Sequence, residues 1–522
     1  MQVKEKQKWT LMFFFASDNT LSPAMLNQLK SIKAAGFQLN TNVLAHFDPY
    51  ERGVPSVIFE INRKEKEGQT HSRIGDEKDP VIRDLACDQV PPALTDADAA
   101  RSYSYGGDNL TAEQTLINFL NFSRKYYPAE NYMLFLVGHG MVVGGDAFLP
   151  DDNPDSGISL VKLGKLLWDF RNAIHAKGEV LQLLGMHSCS MSALEVAYQL
   201  KETATYMLGS EGLSFVGAWP YRQMLQKIFS TIEQARGQEV RVESLVEDLY
   251  ELCLHSSADF IVAGYSSDLC LCSLEPNRVK ALTQPIQTLS TALQAALDDD
   301  RGRELILLAH WKSQSYFQES YTDLYDLCLC LSQSSNDSTL VQQRLKSACD
   351  SVIEALAPTA SNDAARSPIL RADFVGPDCQ YSHGLSIFFP WTMPVAYTNG
   401  NVIKNYETYA FVTELEDTSW LAFLKAYFAK TMRPARDVRP GDEVSYDYDA
   451  TLTFAKSLVN PVALRHGPSE YASAALAGGK VSPSDASGYW IPSYIKNYPR
   501  DLSITSRALK VFANERAQTK TE

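Results

Sequence analysis

Along the first half of the chain, short unbroken apolar runs alternate with segments whose apolar positions recur three and four residues apart. "WTLMFFFA", residues 9–16, reads as a strand buried on both faces. "LSPAMLNQLKSIKAAG" follows and puts Met25, Leu29 and Ile32 on one helical face, with Ser22 as the expected N-cap, Pro23 at the first helical position and Gly36 just past the end. The alternation then repeats. Strands are expected in "NTNVLAHFD", "NYMLFLVG", "VLQLLGM" and "TYMLGSEG". Helices are expected in "TAEQTLINFLNFSRKYY", "SLVKLGKLLWDFRNAI" and "SMSALEVAYQLKE". This β-α-β rhythm predicts an α/β fold with a mostly parallel sheet and helices on both faces.

The rhythm breaks in three places. Residues 51–106 are irregular and highly charged, which predicts an exposed insertion. Beyond about residue 225 the pattern turns helical, with one late strand-like run, "HGLSIFFP", expected to join the main sheet. From residue 431 the chain is richer in Pro, Gly, Ser and aromatic pairs, which suggests a small β-rich appendage of unknown role. The expected organisation is a core over 1–270, a helical continuation with one added strand over 271–430, and an appendage over 431–522.

Composition narrows the function. With 522 residues, 45% hydrophobic and 21% charged, the chain has the makeup of a globular protein of more than one unit. A net charge of -14 argues against nonspecific nucleic-acid binding, which needs a basic surface, and suits a basic substrate or partner. No run is long enough to span a membrane, so no membrane partner is expected. The opening apolar run is short and no small-x-small cleavage site follows it, so it is read as a strand of the mature protein. Nine cysteines without C-x-x-C or metal-ligand spacing suggest reduced, mostly buried thiols and a cytoplasmic setting.

The chemistry gathers at strand ends. In open α/β sheets, sites form where the carboxyl ends of strands meet loops and helices. Asp18, His139, Cys189 and Glu211 all stand at such ends. A cysteine attacks as thiolate and needs a base or a stabilised anion. Cys189 is expected to begin a helix, whose first-turn amides favour the anion. If the strands ending at Gly138 and Met186 are neighbours, His139 reaches the sulfur. Gly140 has no side chain, so its N–H, with that of Cys189, can hold a developing oxyanion. The dipeptide alone is weak: His-Gly also occurs at His383-Gly384 and His466-Gly467. The joint placement of histidine and cysteine on consecutive β-α units carries the weight.

Taken in order, "WTLMFFFASDNTL", "GGDNLTAEQTLINFLNFSRKYYPAENYMLFLVGHG", "LLGMHSCSMSALEVAYQL", "LGSEGLSFVGAWPY", "YTDLYDLCLCL" and "HGLSIFFPW" resemble segments of the clostripain family of cysteine peptidases, in the caspase-like clan. The resemblance implies a caspase-like three-layer α-β-α sandwich. It makes Cys189 the nucleophile and His139 the general base and acid, with no third residue required. The implied enzyme is an endopeptidase working through an acyl-enzyme thioester on protein or peptide substrates.

The family commonly carries Asp two residues before the nucleophile, where it helps bind Arg or Lys at P1, the residue whose carbonyl is attacked. Here the position is His187, which weakens the expectation of a basic P1. Asp18, Glu211 or a carboxylate of "GGDAFLPDDNPD" is a candidate to replace the charge, and Asp18, His187 and Glu211 are the candidate substrate-binding residues. No cofactor is required. Some relatives use calcium, for which Asp151, Asp152 and Asp155, together with Asp146, are weak candidates without a defined ligand spacing. Some relatives are cut between the His and Cys segments after a basic residue. No Lys or Arg occurs from Met141 to Val161, so the charged 63–80 stretch is the more accessible cleavage site. The rival reading is a latent or non-catalytic scaffold of the same fold, governed by a regulatory protein partner or by proteolysis.

Overall fold

The strand that opens the chain is apolar on both sides because it lies in the middle of a sheet covered on both faces. In the computed structural model, β1 (Gln7–Phe15) pairs in parallel with both β2 (Thr41–Phe47) and β4 (Ala129–Val137). The structure describes residues 4–36, 38–48, 57–61, 110–140, 148–152, 155–316, 320–335, 339–357, 367–391, 402–415 and 420–431. The chain divides into two compact units. The first comprises residues 1–192, 196–260 and 269–276, and the second the remainder.

The first unit holds the parallel sheet. β7 (Val180–His187) lies beside β4, and β8 (Tyr206–Gly209) lies beside β7, both parallel. Two antiparallel strands flank this set: β3 (Val57–Glu60) against β2, and β9 (Ser267–Ser273) against β8. The order is β9-β8-β7-β4-β1-β2-β3. The chain runs from β1 through α1 (Ser22–Lys33) to β2 on one side. It then runs through α2 (Ala112–Tyr126), α3 (Leu160–His175) and α4 (Leu194–Leu200) to β4, β7 and β8 on the other side. Right-handed crossovers therefore place α1 on one face and α2 and α3 on the opposite face. Packing agrees: α1 lies against α5 (Tyr221–Ala235), and α2 against α3. These are the three layers of the expected sandwich.

Alternate residues of β1 feed the two layers. Phe13 stacks on Phe135 at 4.8 Å and meets Tyr221 edge-on, while Phe14 stacks on His46 at 4.6 Å beside Phe119 of α2. Burying a Phe in this way is worth about 1.5–3 kcal/mol. Local signals set the helix starts. Thr111 and Gln114 form a reciprocal capping box on α2, and the Ser159 hydroxyl caps α3.

Several sequence expectations are corrected. Leu21, not Ser22, precedes α1, and its N–H is held by the Asn19 side chain at 3.0 Å. The insertion is not irregular throughout, because residues 57–60 form the edge strand β3. "SDLCLCS" is a strand within the part read as helical, since a short apolar run fits either element and here pairs with β8.

The second unit is mainly helical. α7 (Thr283–Leu297), α8 (Asp300–Lys312), α9 (Leu324–Ser334), α10 (Leu340–Leu356) and α11 (Trp420–Thr431) pack on one another, α7 against α8, α10 and α11. In the first unit, α6 (Val242–Ser257) packs on α5. The late strand does not extend the main sheet. It is β13 (Ser386–Phe388), in a small antiparallel sheet with β10 (Ser315–Tyr316) and β11 (Tyr321–Asp323), while β12 (Ile369–Val375) is a further strand of this unit. Residues 193–195 belong to the second unit. The fully buried Glu195 accepts hydrogen bonds from the Phe388 N–H at 3.0 Å and the Tyr406 hydroxyl at 2.7 Å, and burial raises its pKa. Among the described residues no helix is long and apolar enough to cross a membrane. The 63–80 stretch, Asp146, His466-Gly467 and residues 432–522 lie outside the described residues.

Candidate active site

Strand register brings the two candidate catalytic segments together. Val137, the last residue of β4, pairs directly with His187, the last residue of β7. His139 and Cys189 each stand two residues further on. A Cβ built on Gly140 would lie 1.7 Å from the Cys189 carbonyl oxygen and 2.8 Å from its nitrogen. Only a residue without a side chain allows the backbones to approach this closely. Both segments belong to the first unit.

The base segment is fastened by the hairpin of β5 (Phe148–Asp152) and β6 (Asp155–Ile158). The Leu149 N–H donates to the His139 carbonyl at 3.3 Å, and the Asp152 N–H donates to the Asp18 carbonyl at 3.0 Å. The Asn19 side-chain amide donates to the carbonyls of Ala16 and Pro150 at 2.8 and 3.1 Å. The Asp18-Asn19 turn thus ties the hairpin to the end of β1. His139 reaches solvent. The protein around its base lowers its pKa, against the upward pull of the Asp152 charge.

The cysteine segment is a loop, not the start of a helix. α4 begins only at Leu194, five residues beyond Cys189. Ser190 adopts a left-handed φ of 56°, a conformation that costs a non-glycine residue about 1–3 kcal/mol and needs local support. The Ser190 N–H donates to the Gly212 carbonyl at 2.9 Å and the Ser192 N–H to the Ser210 carbonyl at 2.8 Å, which pin the loop to the end of β8. The first turn of a helix therefore does not face the thiol; instead the Ser214 N–H points at Cys189 Sγ from 3.4 Å. The sulfur also lies 3.8 Å from the Ser214 carbonyl. Of the eight described cysteines, Cys189 is half-buried and the other seven are buried.

The remaining candidates lie deeper. His187 is 1% exposed; Asp18 is 5% exposed; Glu211, beyond the end of β8, is fully buried. The His187 ring stacks on Trp219, and both its nitrogens are bonded within the core, to the Tyr221 hydroxyl at 2.7 Å and the Phe215 carbonyl at 2.8 Å. Burial lowers its pKa to about 4, so the imidazole is neutral at neutral pH. The acidic stretch expected as a loop is the β5–β6 hairpin, where Asp152 pairs with Asp155 and Asp151 is buried. Among the described residues no group of three or more His, Cys, Asp or Glu is placed to hold a metal ion. Sequence reasoning missed Ser214. The signal was its place in "SEGLSFVGAWPY", the segment just past a strand end.

The clostripain family model matches residues 13–427, most of the chain, including both strand ends of the candidate site. The chain belongs to the clostripain family. It is a cysteine peptidase, a hydrolase of peptide bonds. Solved structures similar to this clostripain-family chain include a secreted C11 cysteine protease of Bacteroides thetaiotaomicron in complex with an irreversible peptide inhibitor. It is 15% identical, with a TM-score of 0.45, and the match covers 81% of this chain and 99% of that one. A second structure of a secreted C11 protease from that organism gives 13% identity and a TM-score of 0.47, covering 79% and 100%. An inactive zymogen C11 protease from Parabacteroides distasonis gives 15% identity and a TM-score of 0.42, covering 79% and 99%. No curated protein sequence matches.

Proposed function

We propose that this clostripain-family peptidase is an endopeptidase with a Cys189–His139 dyad. The observation that carries the reading is the seat of Gly140 on the backbone of Cys189, at the ends of two strands in direct register. His139, neutral because its pKa is lowered, takes the Cys189 proton. The sulfur attacks the scissile carbonyl, and the N–H groups of Gly140 and Cys189 hold the oxyanion. His139 then gives the proton to the leaving amine, which departs and leaves a thioester. Water, deprotonated by His139, attacks the thioester, and the sulfur leaves as thiolate to restore the enzyme.

We also propose that P1 is an uncharged residue. His187 is neutral and buried, so it offers no charge to a guanidinium. From Ser210 to Tyr221 the only charged residue is Glu211, which is fully buried, while Leu213, next to the sulfur-bonding Ser214, is 52% exposed. The exposed side chain that this segment offers next to Ser214 is therefore apolar.

Fluorogenic peptides varied at P1 test both statements. Cleavage and labelling by thiol-directed inhibitors are expected to disappear in Cys189→Ala. Cleavage that persists in that variant would refute the dyad. Fastest turnover of Arg or Lys peptides would refute the uncharged pocket and point back to Asp18 or Glu211.

A further inference from the structure

His187 sits where the family commonly has an acid, and its bonds run toward the nucleophile rather than toward open space. A carbonyl oxygen only accepts, so His187 Nε2 carries the proton and donates it to Phe215. Nδ1 is then a lone pair, and the Tyr221 hydroxyl donates to it. Burial keeps the ring neutral and stacking on Trp219 at 4.5 Å fixes its plane, so this tautomer is locked. Phe215 is gripped at both ends: its carbonyl by His187, its ring by Phe260, stacked at 5.4 Å. The preceding residue is Ser214, whose N–H meets Cys189 Sγ. The His187 backbone also works toward the site, because its carbonyl accepts the Gly138 N–H at 3.3 Å, immediately before His139.

We infer that His187 is a positioning residue, which holds the Ser214 amide on the Cys189 sulfur by donating to the Phe215 carbonyl. Through its backbone, the same residue keeps the His139 strand end in register. An ionised Asp here would set an acceptor against the Phe215 carbonyl, so the two residue types are not interchangeable in this chain. The inference rests on Cys189 being the nucleophile.

Three variants test it: His187→Leu, which keeps bulk and removes the donor; His187→Gln, whose amide can donate to Phe215; and Tyr221→Phe, which removes the hydroxyl on Nδ1. Each is measured for kcat, KM, thermal midpoint and the rate of Cys189 alkylation by iodoacetamide, a probe too small to need a substrate pocket. His187→Leu is expected to lower both kcat and alkylation about tenfold with KM little changed, since the thiolate loses one aimed donor. His187→Gln is expected to recover most of both rates, and Tyr221→Phe to lose about threefold. A folded His187→Leu enzyme alkylated at the wild-type rate overturns the inference. So does a loss confined to KM, which makes His187 a substrate contact, or a Gln variant as slow as Leu. If His187→Leu does not fold, unchanged alkylation in Tyr221→Phe overturns it. Peptide cleavage that survives in Cys189→Ala overturns the nucleophile assignment itself, which separates the two failures.

Discussion

The dipeptide His-Gly occurs at 139–140 and again at 383–384, and the two copies have opposite environments. His139 lies two residues beyond a parallel strand of the first unit, reaches solvent, and has a lowered pKa. His383 lies three residues before β13 in the second unit. It stacks on Tyr325 at 4.3 Å and lies 3.3 Å from the fully buried Asp323. Burial pushes the His383 pKa down, but the charge and hydrogen bond of Asp323, with Asp326 and the Tyr381 carbonyl, outweigh it and the net shift is upward. The surroundings thus push the two imidazoles in opposite directions, His139 away from the charged form and His383 toward it. The glycines differ as well. Gly140 is needed because another backbone occupies the place of its Cβ; Gly384 is needed because its φ is 109°. Identical letters thus meet an exposed strand end in one unit and a buried carboxylate in the other.

The comparison can be broken most decisively at the histidines. His139→Ala is expected to lower kcat/KM by about 10²–10⁴. His383→Ala is expected to keep the rate within about twofold and to show its effect as a lower thermal midpoint. Equal losses of activity on a fluorogenic peptide would erase the distinction. The glycines come next. Gly140→Ala forces the Cys189 backbone to move and is expected to cost about 10²-fold in rate. Gly384→Ala is expected to cost about 1–2 kcal/mol of stability, measured by denaturant titration, and little rate. A Gly140→Ala enzyme of normal rate would show that the close approach is dispensable.

The smallest effects are in pH. The acid limb of kcat/KM is expected below the ordinary histidine value of about 6.5, because the His139 pKa is lowered. Asp152 pulls that pKa up, so Asp152→Asn is expected to move the limb further down. For His383 the sign reverses. Its folded pKa is raised, so its stabilisation is full below about pH 6.5 and is lost as pH rises through the folded value. Asp323→Asn is expected to flatten that decline in a series of thermal midpoints against pH. An acid limb unmoved by Asp152→Asn, or an unchanged decline in Asp323→Asn, would show that charge does not separate the two sites.

Much of the first unit was legible in the sequence because strands buried on both faces are written as unbroken apolar runs. Met25, Leu29 and Ile32 are buried as the helical spacing predicts. What escaped depends on partners far along the chain. β13 pairs with β11, more than sixty residues earlier, rather than with the main sheet. α4 starts late because residues 188–192 are tied to 210–212 instead of winding. The candidate site divided the same way. His139, Gly140 and Cys189 announced themselves by standing at strand ends. The Ser214 donor did not, since a backbone amide is the same in every residue and only folding aims it.

By itself the sequence determined the alternation of layers, the positions where reactive side chains leave the sheet, and the family to which those motifs belong. Tertiary structure alone decided that Val137 and His187 are register partners, that Gly140 rests on Cys189, and that His187 is a neutral core residue. The reason is physical. Periodicity is fixed by the local geometry of a helix or strand, whereas register, burial and the protonation of an imidazole are set by whichever distant segments fold against it.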